Sequence, residues 1–596
     1  MLSKNNVLVI LVLSVVYPLV SRYINKSSLG ELLVTDDIKN EYDYVIVGGG
    51  SAGSVIAARL AEDANNRVLL LEAGNHFDID QNIHVPAKAF NFVPTDFAWQ
   101  FKSETEDGRF QGLKEKKTIM NKGKVLGGSS SINACTYARG SSFDFNKWVT
   151  KYGCEGWGYA DLLPYFKKAE DVKIPDLKAS EYHGSGGPIA VSDSYQTRVW
   201  RHFLDAGKEM GYYETDYNGA SQTGFSRVQM TVRNGVRSST GLEYLGKQGK
   251  KSNLDVSINT FVTKIKIEKN VANGVYFIKH GRKRYVKARR DVILSAGAIN
   301  SPQLLLLSGV GPRKHLEDLD IPLIKDLPVG QRLDDHVSVI LNAKINQSIG
   351  LVPENFRGLW PRIQYALFGS GVYTAITEAT SFMHFDKSKV DKKCPDIQFL
   401  LSSIFIGNND ILNYNDSIAA ELIDHYKDAY AVSVMIILLH PKSTGTVRLQ
   451  STDPFDSPIL DTNILNDRRD VADLLAGIRM FEEFISTQAM QELGADLSIN
   501  KASFCAQHEF RSDDFWRCMI RHIAISFYHS TSTCKMGKKD DMTSVVDPDL
   551  RVKGMKNLRI CDASVFPEVT SGNTNAPVIA VAEKFADMLK SELRQE

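Results

Sequence analysis

Val45-Ile46-Val47 runs straight into Gly48-Gly49-Gly50-Ser51-Ala52-Gly53, and a second apolar run, Val68-Leu69-Leu70-Leu71, ends on Glu72. Gly48, Gly50 and Gly53 fall in Gly-x-Gly-x-x-Gly register between a β-branched run and a helix-compatible stretch, the order of a dinucleotide-binding βαβ unit. Each glycine has a separate duty: Gly48 allows the tight turn, Gly50 lets backbone approach a pyrophosphate, and Gly53 lets the helix pack on the strand. The helix start, with the N–H groups of Ser51 and Ala52, offers partial positive charge to phosphate. Glu72, about 20 residues past the last glycine, is placed to accept from a ribose diol. Residues 49–53 also fit Gly-x-Ser-x-Gly, the nucleophile elbow of α/β-hydrolases. That reading puts the elbow on the first strand of the fold and leaves Glu72 without a role, so the dinucleotide reading stands.

A chain of 596 residues exceeds one simple core and implies two domains or one elaborated fold. A net charge of +1, with no basic run interleaved with aromatics, argues against nucleic acid as a partner. The cluster at 279–290 reads as a solvated hairpin. Near the N-terminus, Lys4 precedes an apolar run over 7–20 that Pro18 interrupts. The run is shorter than the ~20 residues of a membrane span and reads as a signal peptide over about 1–27. Secretion is therefore expected, with an uncleaved anchor as the alternative. Asn25, Asn346 and Asn415 head Asn-x-Ser sequons compatible with a glycoprotein. Seven cysteines leave at least one thiol unpaired. They show no Cys-x-x-Cys or zinc-type spacing, so no metal site is expected, and a Cys505–Cys518 disulfide is plausible in an oxidising compartment.

No repeat or low-complexity segment interrupts the chain. A second glycine-rich loop spans Gly123 to Asn133, strands are read at 254–258, 262–267, 274–277 and 291–294, and a helix starts near Ser301 with Pro302 in its first turn. Residues 342–430 are less regular, and the pocket lining is expected there. New strands begin at about 432.

Several long segments resemble the glucose-methanol-choline (GMC) oxidoreductases. The first is Gly123 to Asn146, with Gly127-Gly128, Ser129-Ser130, Asn133, Tyr137 and Gly140 in register. The second is Gly297-Ala298-Ile299-Asn300-Ser301-Pro302 through Gly311. Leu327 to His336, Tyr528-His529 with Thr533 to Gly537, Asp562 to Pro567 and Ser571 to Pro577 are similar to further family segments. Within the family, Asp216 to Gly219, Arg237-Ser238-Ser239 and Pro441 to Leu449 look most like secreted arthropod members such as FAD-dependent glucose dehydrogenases and alcohol oxidases. The resemblance covers about 42–588. It implies an α/β architecture, α+β overall: a Rossmann-like FAD domain built from several segments, roofed by an antiparallel sheet flanked by helices. The corresponding linear boundaries are 41–340 for the FAD-binding region, 341–431 for a substrate-domain segment and 432–588 for the C-terminal region.

The same resemblance implies oxidation of a primary or secondary alcohol, by proton abstraction and hydride transfer to flavin N5. It matches His529 to the catalytic base, a role that suits an imidazole. Asn575 is matched to the second site position, where its amide orients the substrate oxygen. Asn575 also reads as a helix cap, with Pro577 in the first turn, and that helix start is suited to the charge that gathers near flavin N1. Further cofactor contacts are assigned to Gly127, Gly128 and Asn133 over the ring, Val262 and Trp99 near adenine, Ala296 and Gly297 on the adenosine side, and Asp562 and Ala563 along the ribityl or pyrophosphate. Members with covalent flavin carry histidine where this chain has Ile132, so the FAD is expected to be noncovalent. The usual Pro and Gly after the catalytic histidine are Ser530 and Ser532. The electron acceptor is O₂ or a quinone, and the substrate is a sugar, aromatic alcohol, cyanohydrin or ecdysteroid. No stable membrane insertion is expected, and the oligomeric state is left open. A non-redox cyanohydrin lyase on the same scaffold, or a flavin-binding protein without turnover, are the alternatives.

Overall fold

A computed structural model describes residues 34–105, 108–247, 251–389, 394–403, 409–426, 429–497 and 503–595. The signal-peptide expectation at 1–27 and the sequon at Asn25 lie outside these residues. Two sheets organise the chain. The first has seven strands. Leu254–Ser257, Val68–Leu71, Glu41–Val47 and Arg282–Leu294 run parallel as neighbours, and Leu558–Ile560 lies parallel on the far edge of Arg282–Leu294. The lower half of Arg282–Leu294 also pairs antiparallel with Val271–Lys279, which pairs with Thr260–Glu268. The basic cluster at 279–290 is thus a hairpin turn and its returning strand. Val68–Leu71 is buried throughout, as expected of a parallel strand covered on both faces.

Helix α1 (Ser51–Leu60) follows the first strand, α2 (Gly297–Leu307) follows Arg282–Leu294, and α3 (Asn575–Gln595) closes the chain. Arg59 at the end of α1 pairs at 2.7 Å with Glu583 of α3, a carboxylate with no exposed side-chain surface. The Tyr244 hydroxyl donates to the same carboxylate at 2.7 Å. α3 is thereby locked onto α1, 524 residues away.

The second sheet has six antiparallel strands in the order Ile525–Ser526, Val337–Lys344, Ala431–Leu438, Ile397–Ser402, Ala379–Met383 and Gly224–Arg227. Helix Arg468–Ser486 covers it with Val471, Leu474, Ile478, Phe481 and Phe484. The boundaries 340/341 and 431/432 each fall inside a strand of this sheet, and Gly224–Arg227 comes from within 41–340. The segment read as irregular, 342–430, supplies two central strands. Their residues are buried on both faces, so no two-residue alternation marks them.

Cys505 and Cys518 form a disulfide; Cys135, Cys154, Cys394, Cys534 and Cys561 are free. Asn346 is exposed, whereas Asn415 caps helix Asp416–Leu422 and donates its amide to Gln111 O. Among the described residues no helix is long and apolar enough to cross a membrane.

Candidate active site

One elongated cavity lies between the two sheets. Its nucleotide-facing wall is the βαβ turn. A Cβ on Gly53 would stand 1.9 Å from Gly48 O, and one on Gly128 would stand 2.7 Å from Gly50 Cα. Both contacts need glycine, because they bring α1 and the second glycine-rich loop against the turn. Gly127 N donates to Gly49 O at 2.7 Å, tying the two loops together. Arg237, fully buried, donates to Asn133 O and Oδ1 at 2.6 and 2.8 Å. Glu72 accepts from Gly49 N at 2.7 Å and Gly74 N at 2.8 Å, and burial pushes its carboxyl up to about 7 against those two donors. Asp562 Oδ2 accepts from Gly297 N at 2.8 Å and Ser301 Oγ at 2.6 Å, stapling the start of α2 to the strand end.

The expected residues are largely brought together. Gly48, Gly50, Ser51, Ala52, Glu72, Trp99, Gly128, Asn133, Val262, Ala296, Gly297, Asp562, Ala563 and Asn575 all line the cavity with His529. Gly53, Gly127 and Pro577 do not; the first two shape its walls, and Pro577 is buried in the first turn of α3. Lys124 Nζ lies 4.5 Å above the Trp99 ring. Ile132 is on the wall. Ser51 Oγ, read alternatively as a nucleophile, donates to Asn575 Oδ1 at 2.9 Å.

The opposite wall belongs to the second sheet. Ile340, Met435 and Leu400 are register partners on three adjacent strands and form one row facing the cavity. Three strand-borne residues thus make the roof. Among the described residues, Thr377, Leu400 and Ile411 are the lining residues from 342–430, a minority of the described lining.

His529 sits on a loop held by the segment Arg332 to His336. Its backbone N donates to Asp335 Oδ1 at 2.7 Å, and Asp335 Oδ2 accepts from Ser526 Oγ at 2.6 Å. Thr531 N donates to Asp334 O at 2.8 Å and Phe527 N to His336 O at 2.9 Å. Ser532, at the usual glycine position, takes φ +73° and donates its hydroxyl to Asp334 Oδ2 at 2.9 Å.

The imidazole pair defines the proton positions. His336 Nε2 lies 3.1 Å from Leu439 O. A carbonyl only accepts, so His336 carries its proton on Nε2 and presents a lone pair at Nδ1. His529 Nδ1, 2.8 Å from that lone pair, is then the donor. His529 Nε2 is left as an acceptor, 3.2 Å from the Asn573 amide nitrogen. Burial, with His336 and Lys122 nearby, holds His529 well below the usual imidazole value. Burial holds His336 down at about 3. Both rings are neutral at pH 7, and a basic lone pair points from His529 toward Asn573.

The amide facing His529 is that of Asn573; Asn575, expected to orient the substrate oxygen, lines the same cavity and accepts from Ser51 Oγ at the entry to α3. Asn573 Oδ1 is buried with no protein partner. Sequence reasoning also gave no role to His336, Asp335 or Lys122. The first two lay inside a quoted family segment, so a signal was present. Lys122 lines the cavity, donates to Tyr528 O at 2.6 Å and is pulled down to about 8 by burial.

The cavity fits FAD. Its walls carry the phosphate-facing turn at Gly50 to Ala52 and the Glu72 carboxylate. Gly297, at φ +87°, has open space where a Cβ would stand. At the far end lies the unpartnered Asn573 oxygen.

The GMC oxidoreductase profiles match residues 42–338 and 441–582. The chain is 36% identical over 557 residues to the glucose dehydrogenase [FAD, quinone] of Drosophila pseudoobscura pseudoobscura, covering 92% of this chain and 87% of that protein. It is 37% identical to the mitochondrial choline dehydrogenase of Mus musculus, covering 93% and 90%. Among solved structures, formate oxidase superposes with a TM-score of 0.82 at 27% identity, over 93% of this chain and 99% of that one. A nucleotide crevice, an antiparallel roof and a neutral histidine between them meet in one polypeptide, and with these matches the chain belongs to the GMC oxidoreductases, FAD-dependent oxidoreductases of alcohols.

Proposed function

We propose that the protein binds FAD noncovalently and oxidises a primary or secondary alcohol with an apolar body, an aromatic alcohol before a sugar. The observation that carries this reading is the His529 Nε2 lone pair beside the Asn573 amide under an apolar roof. FAD, when bound, supplies the acceptor for the hydride that leaves the carbinol carbon. His529 Nε2 takes the hydroxyl proton, and the Nδ1–H···Nδ1 bond to His336 holds the ring in the tautomer that leaves Nε2 free. Asn573 donates to the same oxygen and fixes the carbinol C–H direction; such positioning lowers the barrier by prepaying orientation. Asn575 belongs to the helix start, where the N-terminus of α3 favours negative charge nearby.

The substrate class follows from the wall chemistry. Ile340, Leu400, Ile411, Met435 and Phe527 line the cavity, Phe527 against the His529 ring, and the hydroxyls of Thr136 and Thr377 are buried without partners. Among the described lining residues the carboxylates are Glu72 and Asp562, both committed to the nucleotide-facing wall. A polyhydroxy sugar would leave unpaired each hydroxyl it sets against the Ile340–Met435–Leu400 row, beyond those that Thr136, Thr377 and Asn573 can take, at about 1–3 kcal/mol each. Ile132 has no nucleophilic atom, which supports noncovalent attachment. The apolar run after Lys4 and the Cys505–Cys518 disulfide support a secreted protein, with O₂ or a quinone as reoxidant.

His529→Ala is expected to purify yellow and to reduce its flavin at least ~100-fold more slowly with an aromatic alcohol under anaerobic conditions. Unchanged reduction kinetics would reject the assignment. A panel of aryl alcohols and sugars, read by flavin bleaching, tests the substrate class; faster bleaching by glucose than by any aryl alcohol overturns it.

A further inference from the structure

Outside the cavity, four distant segments converge on a second group of reactive side chains. Asp144 lies in the first turn of helix Ser142–Tyr152. Cys394 precedes strand Ile397–Ser402, and His440 follows strand Ala431–Leu438. Ser571 is on the loop that carries Asn573. Cys394 Sγ donates to Asp144 Oδ1 at 3.0 Å, and Ser571 Oγ donates to the same oxygen at 3.0 Å. His440 Nε2 is 3.1 Å from Ser571 Oγ and 3.9 Å from Asp144 Oδ1. The sulfur, the nitrogen and the carboxylate oxygen lie within 4.8 Å of one another. A tetrahedral ion with bonds of about 2.0–2.3 Å holds its ligand atoms roughly 3.3–3.6 Å apart, so small side-chain rotations bring all three to bonding distance.

We propose that Asp144, Cys394 and His440 form a binding site for a divalent transition-metal ion of the Zn²⁺ type, separate from the FAD cavity. A thiolate, an imidazole and one carboxylate select such ions over Mg²⁺ and Ca²⁺, which take oxygen donors. Binding forms a metal–sulfur bond and breaks the Cys394 S–H bond, whose proton leaves to solvent. Thiolate and carboxylate then balance the two positive charges. Entry is open at His440, whose side chain is 22% exposed. Lys147, which faces the cluster, is held in an ion pair by Glu568. Sequence spacing gives no hint of the site, since Asp144 and Cys394 are 250 residues apart.

The site touches the reaction through two short connections. Asp144 Oδ1, the acceptor that anchors Ser571 Oγ, becomes a metal ligand, so the loop leading to Asn573 loses that anchor. His440 also directly follows Leu439, the carbonyl that fixes His336. Ion binding itself is independent of the catalytic reading; the effect on turnover rests on it. Loading therefore slows turnover without releasing flavin.

The test uses FAD-loaded protein titrated with Co²⁺ and then Zn²⁺. One equivalent of Co²⁺ is expected to give a thiolate-to-metal charge-transfer band that Zn²⁺ abolishes. The band disappears in Cys394→Ser, and affinity falls at least ~10-fold in His440→Gln. Both variants keep bound flavin, which shows that they fold. Zn²⁺ slows flavin reduction in the wild type, a chelator restores it, and Cys394→Ser is active and insensitive. Absence of the charge-transfer band, or equal Co²⁺ affinity in Cys394→Ser, overturns the site. Zn²⁺ inhibition that persists in Cys394→Ser overturns the link to turnover, and unaltered metal binding with no inhibition does the same.

Discussion

The Nε2 lone pair of His529 depends on a neighbour that never meets the substrate. His336 accepts from His529 Nδ1 and donates to Leu439 O, so its ring decides which nitrogen of His529 is basic. In His336→Ala the buried Nδ1–H loses its acceptor, at about 1–3 kcal/mol, and the tautomer is no longer fixed. Flavin reduction is expected to fall while bound flavin is retained; stopped-flow spectra at saturating alcohol check this. The depressed affinity of His529 for protons has a direct sign. A base that titrates well below 6.5 is still deprotonated as pH falls through 6.5, so kcat/KM stays level from pH 8 to below 6.5. An acid limb centred at or above 6.5 would contradict the buried, neutral pair. The two asparagines separate by readout. Asn573→Ala lowers the reduction rate at least tenfold with flavin in place, whereas Asn575→Ala weakens flavin retention because Ser51 and the start of α3 lose their contact. The reverse pattern, read from flavin content and reduction rate together, restores Asn575 as the substrate partner.

At the scale of elements, each half of the cavity rests on backbone-to-backbone approach. The turn before α1 is so close that Gly53→Ala would push a methyl carbon to 1.9 Å from Gly48 O. The helix must then move off the strand, and the expected product is folded but colourless, measured as flavin per polypeptide after purification. Normal flavin content would show that the turn relaxes freely. The βαβ unit was legible because its glycines, helix and acid-ended strand are contiguous and each has a local cause. The second sheet was not. Ala379–Met383 and Ile397–Ser402 are buried on both faces, so they lack alternation, and although they pair with each other, the outer partner of Ala379–Met383 is Gly224–Arg227, far back along the chain. In the same sheet Val337–Lys344, which pairs with Ala431–Leu438, begins one residue after His336, so a single strand start positions both the roof and the relay. Ser532 adds a local strain: a side chain held at φ +73° costs about 1–2 kcal/mol, partly offset by its bond to Asp334.

Across the whole molecule, the cavity belongs to neither sheet alone. Glycine turns of the first sheet and the Ile340–Met435–Leu400 row of the second face each other across it, and α3 runs from the cavity back along α1. A ligand in this position binds only the assembled fold, so FAD at a hundred times its Kd adds about 2.7 kcal/mol to stability. Urea unfolding of loaded protein is expected to show one transition, shifted upward relative to flavin-free protein. Two transitions with only one shifted would place the cofactor within a single sheet. The sequence by itself determined the nucleotide crevice and the family, and pointed to His529, because those residues are recorded in short contiguous patterns. Tertiary structure alone decided that Asn573 rather than Asn575 meets His529. The chain enters α3 between the two, so a displacement of two residues exchanges the imidazole contact for the contact with Ser51. It alone also brought His336 behind the base and gathered Asp144, Cys394 and His440, because contacts between residues hundreds of positions apart are set by how the two sheets close on each other.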